Sequence, residues 1–266
     1  MSTTNAASPT DAIAATSDVP TAATRAPRDV RSFWRVLLAV IAPLPMLFMG
    51  VYYVLSPTDG DAPLADTVAA YAADMDRAEL LQWLQTPFIV LLIPATFAVA
   101  WAARRGAPRL TTAGALIALT GQLAGFGLLG GGGPLAYLTV TENFDVATMA
   151  RLDEAIWELP IVLVGGLLFI VGITIGFLLL GLALWRSRVA PAWMGILLGV
   201  GGFTHPFMPG HVASGLGLVV TAVGFTGASY ALLRMRNDDF DLPAVAPSAT
   251  ELSRERGPSR SGSGGG

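Results

Sequence analysis

The residues best suited to chemistry are the two histidines, His205 and His211, which stand six positions apart in the segment Thr204-His-Pro-Phe-Met-Pro-Gly-His211. Neutral imidazole is a common ligand of divalent metals and of haem iron. Four acidic residues that we expect on the same side of the molecule could add carboxylate oxygens: Glu142, Asp145, Glu154 and Glu158. A divalent-metal or haem site at this segment is therefore one open interpretation.

The histidines also have a simpler interpretation, in which they hydrogen-bond loop backbone or carboxylates in a structural or pH-responsive role. Two His residues six positions apart match no zinc spacing, and a haem with two His ligands usually takes them from facing helices. The spacing favours the structural or pH-responsive role, and no cofactor is predicted.

Two acidic segments of the chain each contain one Arg and one Trp, namely Arg77 with Trp83 and Arg151 with Trp157. The guanidinium groups could bind an anionic ligand or a lipid headgroup, although pairing with Asp74 or Glu154, three positions away on a helix, is favoured. The indole rings are suited to headgroup depth in a membrane. All four residues are candidates for a ligand or partner face.

Several classes of enzyme are excluded by composition. All 16 basic residues are Arg, so no Lys can form a Schiff base. The chain has 0 Cys, which excludes disulfides, thiolate-ligated haem and iron–sulfur clusters. The segment from His211 to Gly215 does not complete the Gly-x-Ser-Gly motif of rhomboid proteases, because Val212 replaces the first Gly. A non-enzymatic function is favoured.

The elements that must position these residues are membrane-spanning helices. The chain has 266 residues, of which 53% are hydrophobic and 13% charged, whereas soluble domains have about 25% charged residues. Five stretches contain no Asp, Glu, Lys or Arg: residues 36–58, 80–103, 110–141, 159–185 and 189–233. Because about 20 helical residues cross a bilayer core of about 30 Å, each stretch predicts at least one span.

Charge predicts the orientation of these spans. Arg clusters lie before the first stretch, between the second and third, between the fourth and fifth, and after the last. The two remaining connections are acidic: residues 59–79 have a net charge of −5 and residues 142–158 a net charge of −4. The positive-inside rule places the Arg clusters in the cytoplasm. Arg pairs at both ends of residues 189–233 require an even number of crossings, so the stretch predicts a hairpin. A re-entrant loop at this position is the alternative.

The resulting fold class is an all-α integral membrane bundle of six helices in a bacterial inner membrane, with both termini cytoplasmic. The predicted spans are residues 36–55, 84–103, 110–130, 159–185, 190–207 and 212–233. Residues 1–32 and 237–266 are polar and rich in small residues, which predicts disordered tails on either side of a membrane domain at 33–236.

An internal repeat groups these spans. Met75-x-Arg77-x-Glu79-x-x-x-Trp83 resembles Met149-x-Arg151-x-Asp153-x-x-x-Trp157, and each segment leads into a span. This similarity favours three parallel helical hairpins. Apolar residues at helical spacing in the two acidic loops predict a short amphipathic helix in each, with Asp145 as a helix N-cap.

These observations predict a non-enzymatic multi-pass protein whose acidic, His-bearing external face binds a partner, a lipid or a small ligand. The partners expected are the lipid bilayer and another membrane or extracytoplasmic protein, and not nucleic acid. Two alternatives stay open. One is a membrane redox or metal-binding protein that uses His205 and His211, and the other is a passive transporter or channel through the bundle.

Overall fold

The computed structural model describes residues 29–128 and 131–241, and every regular element within these ranges is helical. Twelve α-helices follow one another there: α1 (Arg31–Ile41), α2 (Leu44–Leu55), α3 (Leu64–Ala73), α4 (Met75–Ala103), α5 (Pro108–Gly125), α6 (Gly133–Thr141), α7 (Val146–Trp157), α8 (Pro160–Val171), α9 (Phe177–Ser187), α10 (Ala192–Thr204), α11 (Gly210–Arg234) and α12 (Asn237–Phe240). A π-helical segment, Gly172–Gly176, joins α8 to α9.

Four helical segments are long and apolar enough to cross a membrane, which indicates a membrane protein: Arg31–Leu55, Met75–Ala103, Pro160–Ser187 and Gly210–Arg234. Their outer surfaces are apolar as well. On α8, for example, Ile161 is 74% exposed and Leu167 is 63% exposed. Such a surface is stable against lipid and unfavourable in water.

One end of the bundle, here called the basic end, gathers Arg side chains and the C-terminal helix. Arg105 forms a salt bridge with Asp239 at 2.8 Å, and Arg31 forms one with Asp241 at 3.2 Å. Gly106 lies directly against Ser187 at the end of α9. The start of α1 and the ends of α4, α9 and α11 therefore meet at this end.

The opposite end, here called the acidic end, is built around carboxylates. The backbone N–H of His211, at the start of α11, donates to Asp59 Oδ1 at 2.7 Å. The backbone N–H of Gly132 donates to Asp153 Oδ1 at 2.8 Å. These bonds join the start of α11 to the segment after α2, and α7 to the segment before α6.

Glycine allows close helix packing between the two ends. A Cβ atom added to Gly172 would lie 2.7 Å from Gly121 Cα, and one added to Gly195 would lie 2.7 Å from Gly181 O. The spacings Gly121-x-x-x-Gly125, Gly172-x-x-x-Gly176 and Gly195-x-x-x-Gly199 predict such approaches. Contacts of α5 with α8 and of α9 with α10 confirm that these glycines pack helices together.

Two of the six predicted spans differ from expectation. The span predicted at 110–130 corresponds to α5, which ends at Gly125 and is less apolar than the four long segments. The span predicted at 190–207 corresponds to α10, which has only 13 residues before the turn His205–Phe207. After α5 the chain forms a 3-10 turn, Phe126–Leu128, and Gly132 beyond it has a φ of +61°, a conformation that no continuing helix adopts.

The two acidic loops contain the predicted helices. Helix α3 buries Leu64, Val68 and Tyr71, as its spacing predicts. Helix α7 begins at the N-cap Asp145, whose carboxylate accepts a hydrogen bond from the Thr148 N–H, but none of its residues is buried. α7 therefore lies at the periphery of the bundle.

The predicted tails fall mostly outside the described residues, since 1–28 and 242–266 are not among them. Where the C-terminal tail is described, it differs from the predicted disorder: Asn237–Phe240 form α12, in which Phe240 is 9% exposed. The Trp101 Nε1–H donates to the Phe240 carbonyl at 3.1 Å. An aromatic contact and the neighbouring Arg side chains thus stabilise these residues.

Candidate functional site

Two adjoining cavities open at the acidic end of the bundle. The first, here called the Gln122 cavity, has a volume of about 310 Å³, and the second, the His205 cavity, has about 460 Å³. Volumes of this order suit a small organic molecule. The cavities share a wall formed by Met49, Tyr53, Asp59, Gly60, Phe88, Phe169 and His211.

The first cavity is lined by the amide side chain of Gln122, a polar residue that is only 3% exposed. Its Nε2 donates to the Thr96 hydroxyl at 2.7 Å, and the Thr96 hydroxyl donates to the Leu92 carbonyl at 3.1 Å. Because the Thr96 proton is used on Leu92, the hydroxyl must accept from Gln122, which fixes the orientation of the amide. Gln122 Oε1 is buried and has no partner among the described residues.

Tyrosines form the opposite wall. A Cβ added to Gly133 would lie 3.0 Å from the Tyr52 hydroxyl oxygen and 3.3 Å from that of Tyr71, so both phenols face this glycine. Burial raises the pKa of the Tyr71 phenol above its ordinary value. Tyr71 therefore stays neutral at physiological pH and provides a hydroxyl without charge.

Asp153 and Trp157 close the side of the Gln122 cavity that α7 covers. A Cβ on Gly131 would lie 2.9 Å from Asp153 Oδ1 and 3.3 Å from Trp157 Nε1. Glycine at position 131 lets the backbone approach both groups, because it has no side chain. The glycine run thus brings α7 against the cavity, although α7 buries none of its residues.

His211 stands between the two cavities. Its ring packs edge-on against Tyr53 with 4.5 Å between the ring centroids. The ring is hydrogen-bonded to the backbone of Thr58, and Nδ1 is buried without a partner among the described residues. His211 thus places a buried polar atom without a partner among the described residues at the wall that the two cavities share.

His205 lines the second cavity and is 8% exposed. Its Nδ1 donates to the Gly201 carbonyl at 3.3 Å, so this ring is held by the backbone of α10. Both histidines therefore line one cavity. Among the described residues, no group of three or more His, Asp or Glu side chains is arranged to hold a metal ion.

The remaining predicted site residues lie elsewhere. Arg77 donates through Nε to the Leu55 carbonyl at 2.7 Å and so caps the end of α2; it does not pair with Asp74, which accepts from the Arg77 backbone N–H. Arg151 lies 3.4 Å from the Thr148 hydroxyl on the exposed α7. Besides Arg151, five predicted residues are exposed and line neither cavity: Trp83, Glu142, Asp145, Glu154 and Glu158.

No protein-family model, curated protein or solved structure matches this chain. Function must therefore be argued from the cavities themselves.

Several residues of the site are not among the sequence candidates, notably Gln122, Thr96, Tyr52, Asp59 and Asp153. Gln122 has a recognisable signal, since it is a lone amide in a long apolar stretch. The others have none, because Thr, Tyr and Asp are ordinary residues of helices and loops. Only their convergence at the acidic end makes them notable.

Proposed function

We propose that this protein is a non-enzymatic, six-span protein of the bacterial inner membrane that binds a small molecule in the Gln122 cavity from the non-cytoplasmic side. The observation that carries the proposal is Gln122 Oε1, a buried acceptor without a partner among the described residues, on a side chain that lines a cavity. An unsatisfied buried polar group costs roughly 1–3 kcal/mol. A bound ligand or water that donates a hydrogen bond would offset this cost.

The two ends of the bundle support six spans. α10 begins just after Arg188, near the basic end, and ends at His205, which lines a cavity with Asp59 at the acidic end. α5 likewise begins just after Gly106 and reaches Gln122. α10 and the turn after it extend for about 25 Å, which local thinning of the bilayer can accommodate. These directions favour a crossing over a re-entrant loop.

The packing of neighbouring helices supports the three proposed hairpins, because α2 packs on α4, α5 on α8, and α10 on α11. The Arg clusters support a cytoplasmic basic end through the positive-inside rule. The acidic end and its cavities would then face away from the cytoplasm.

A binding cavity is favoured over a channel. The α4 residues that line the Gln122 cavity lie between Gln85 and Ile93, on one face of the helix. Farther along the helix, Ala98, Val99 and Ala102 are buried in the core. The pocket at the basic end, lined by Arg186 and Arg188 among others, shares no residue with the two cavities. A packed layer between the two ends suits a site with one opening.

The test is a fragment screen on detergent-purified full-length protein, with thermal unfolding followed by circular dichroism. The library contains molecules of about 10 to 15 heavy atoms, which suit a cavity of this size. Ile89→Trp fills the Gln122 cavity, and Val90→Trp adds the same side chain at the next position, which is 64% exposed and outside the cavity.

Binding to the cavity predicts fragments that raise the unfolding temperature of the wild type and of Val90→Trp but not of Ile89→Trp. If no fragment shows this pattern, the Gln122 cavity is not a ligand site and the proposed function is wrong.

A further inference from the structure

The fixed charges around the two cavities have one sign. Asp59 and Asp153 line the Gln122 cavity, and Asp59 and Asp61 line the His205 cavity. Among the described residues, no Arg lines either cavity. In an environment of lower dielectric constant than water these carboxylates attract a cation and repel an anion more strongly than they would in solvent.

The unpartnered oxygen of Gln122 has one hydrogen-bonding character. Gln122 Oε1 is an acceptor, because the amide nitrogen is bound to Thr96, and it has no partner among the described residues. An acceptor on the ligand could not satisfy this atom. The complementary group is therefore an N–H or O–H donor.

Aromatic rings line the Gln122 cavity beside aliphatic side chains: Tyr52, Tyr53, Tyr71, Phe88, Phe126, Trp157 and Phe169. Ring faces attract organic cations and stack on aromatic or aliphatic groups. They also exclude small hydrated inorganic ions, which would lose their water without gaining enough oxygen ligands.

From these three features, and resting on the proposed function, we infer that the ligand class is a small organic ammonium with an apolar body. Its N–H groups would donate to Gln122 Oε1, its charge would be balanced by Asp153 and Asp59, and its body would pack against the aromatic wall. No covalent step is involved.

The experiment is calorimetric titration of detergent-purified protein with three molecules of matched shape and different charge. They are 2-phenylethylamine, which is a cation at neutral pH, 2-phenylethanol, which is neutral, and 3-phenylpropanoate, which is an anion. We expect the amine to bind at least about tenfold more tightly than the alcohol, and the carboxylate to bind most weakly, because the ammonium adds charge-assisted hydrogen bonds.

Variants locate the interaction. Asp153→Asn keeps the acceptor for Gly132 and removes the charge, and Gln122→Leu removes the free acceptor. Each should weaken amine binding by about tenfold or more, since each removes a charge-assisted contact, and should change alcohol binding less. If Gln122→Leu does not fold, Asp153→Asn alone tests the inference.

The outcomes separate this inference from the proposed function. If the alcohol or the carboxylate binds as tightly as the amine and loses affinity in Ile89→Trp, the ligand class is wrong while the binding cavity stands. If none of the three binds, the class is also wrong, and the fragment screen alone decides the function. Amine binding unchanged in both Asp153→Asn and Gln122→Leu would equally overturn the inference.

Discussion

Gln122 and Thr96 form a buried hydrogen bond of 2.7 Å that uses only one half of the Gln122 amide. The other half, Oε1, is buried and has no partner among the described residues, and Gln122 lines the cavity. A side chain placed in this way lowers the stability of the empty protein, which is a common property of binding sites. This relationship leads to the first prediction.

Gln122→Leu should raise the thermal stability of the ligand-free protein or leave it unchanged, with a gain of up to about 2 kcal/mol. The leucine removes the unsatisfied oxygen, and the Thr96 hydroxyl keeps its bond to Leu92. Thr96→Val provides the contrast, because it leaves both polar atoms of the amide unpaired and should destabilise the protein by about 1–3 kcal/mol. Circular dichroism melts compare the two, and strong destabilisation by Gln122→Leu would show that the amide is structural.

The sequence predicts the architecture better than the site. Apolar stretches indicate helices, Arg and acidic clusters mark the two ends, and glycine spacings identify close helix contacts. The cavity depends instead on pairs that are distant in sequence, since Gln122 and Thr96 are 26 positions apart and Asp59 and His211 are 152 apart. No local pattern encodes such convergence.

The same reasoning explains why only some residues of the predicted external face line the cavities. His205, His211 and Trp157 line them, whereas the predicted acids do not: Glu142, Asp145, Glu154 and Glu158. Because the apolar stretches contain no Asp, Glu, Lys or Arg, the sequence leads us to expect the site among the ionisable residues outside them. The polar residue that carries the proposed site, Gln122, has an uncharged amide, which charge patterns do not reveal.

Gly172→Ala should destabilise the protein by about 1–3 kcal/mol, because the new methyl group would lie 2.7 Å from Gly121 Cα and would force α5 and the π-helical segment apart. Gly166→Ala is the matched control, since its Cβ would lie 3.6 Å from the Leu128 side chain. The control should be neutral, or stabilising by up to about 1 kcal/mol through helix propensity. Equal unfolding temperatures for the two variants would mean that the glycine contact is not tight.

Arg77→Met should cost about 1–2 kcal/mol of stability, because it removes a charged donor from the Leu55 carbonyl at the end of α2. Arg151→Met, at the corresponding position of the repeat, should change stability by less than about 0.5 kcal/mol, since Arg151 is exposed and has only a long contact with Thr148. Thermal melts of the pair test the asymmetry. A larger loss of stability in Arg151→Met than in Arg77→Met would contradict the capping contact of Arg77 and the exposed position of Arg151.

Asp145 should make the stability of α7 depend on acid pH. Hydrogen bonds from the Thr148 hydroxyl and backbone N–H lower the pKa of Asp145 below its ordinary value of 3.8. Because the pKa of Asp145 is lower in the folded state, the ionised carboxylate stabilises the fold at any pH above the ordinary pKa. This stabilisation is lost as the pH falls through the folded-state pKa.

The measurement is the difference in helical circular dichroism between wild type and Asp145→Ala from about pH 7 to about pH 3. We expect the wild type to be more helical at neutral pH and the difference to shrink in acid. Asp145→Asn keeps a capping side chain without a titratable group, so the helicity of this variant should lack the pH dependence that Asp145 causes. A difference that grows in acid would contradict the cap.

The most direct test of the central claim, a cavity that opens at a non-cytoplasmic acidic end, is the chemical modification of single cysteines. The chain has 0 Cys, so Ser56→Cys and Ser187→Cys are two nearly isosteric probes. Ser56 lines the Gln122 cavity, and Ser187 lies against Gly106 at the basic end. The reagent is 2-trimethylammonioethyl methanethiosulfonate, a small cation that does not cross membranes, applied to sealed right-side-out vesicles.

The account predicts that Ser56→Cys reacts in the intact vesicles and that Ile89→Trp slows this reaction severalfold, because it fills the cavity. Ser187→Cys should react only after the vesicles are opened. If Ser56→Cys instead reacts only in opened vesicles, or at the same rate with and without Ile89→Trp, the claim of an outward-opening cavity is contradicted.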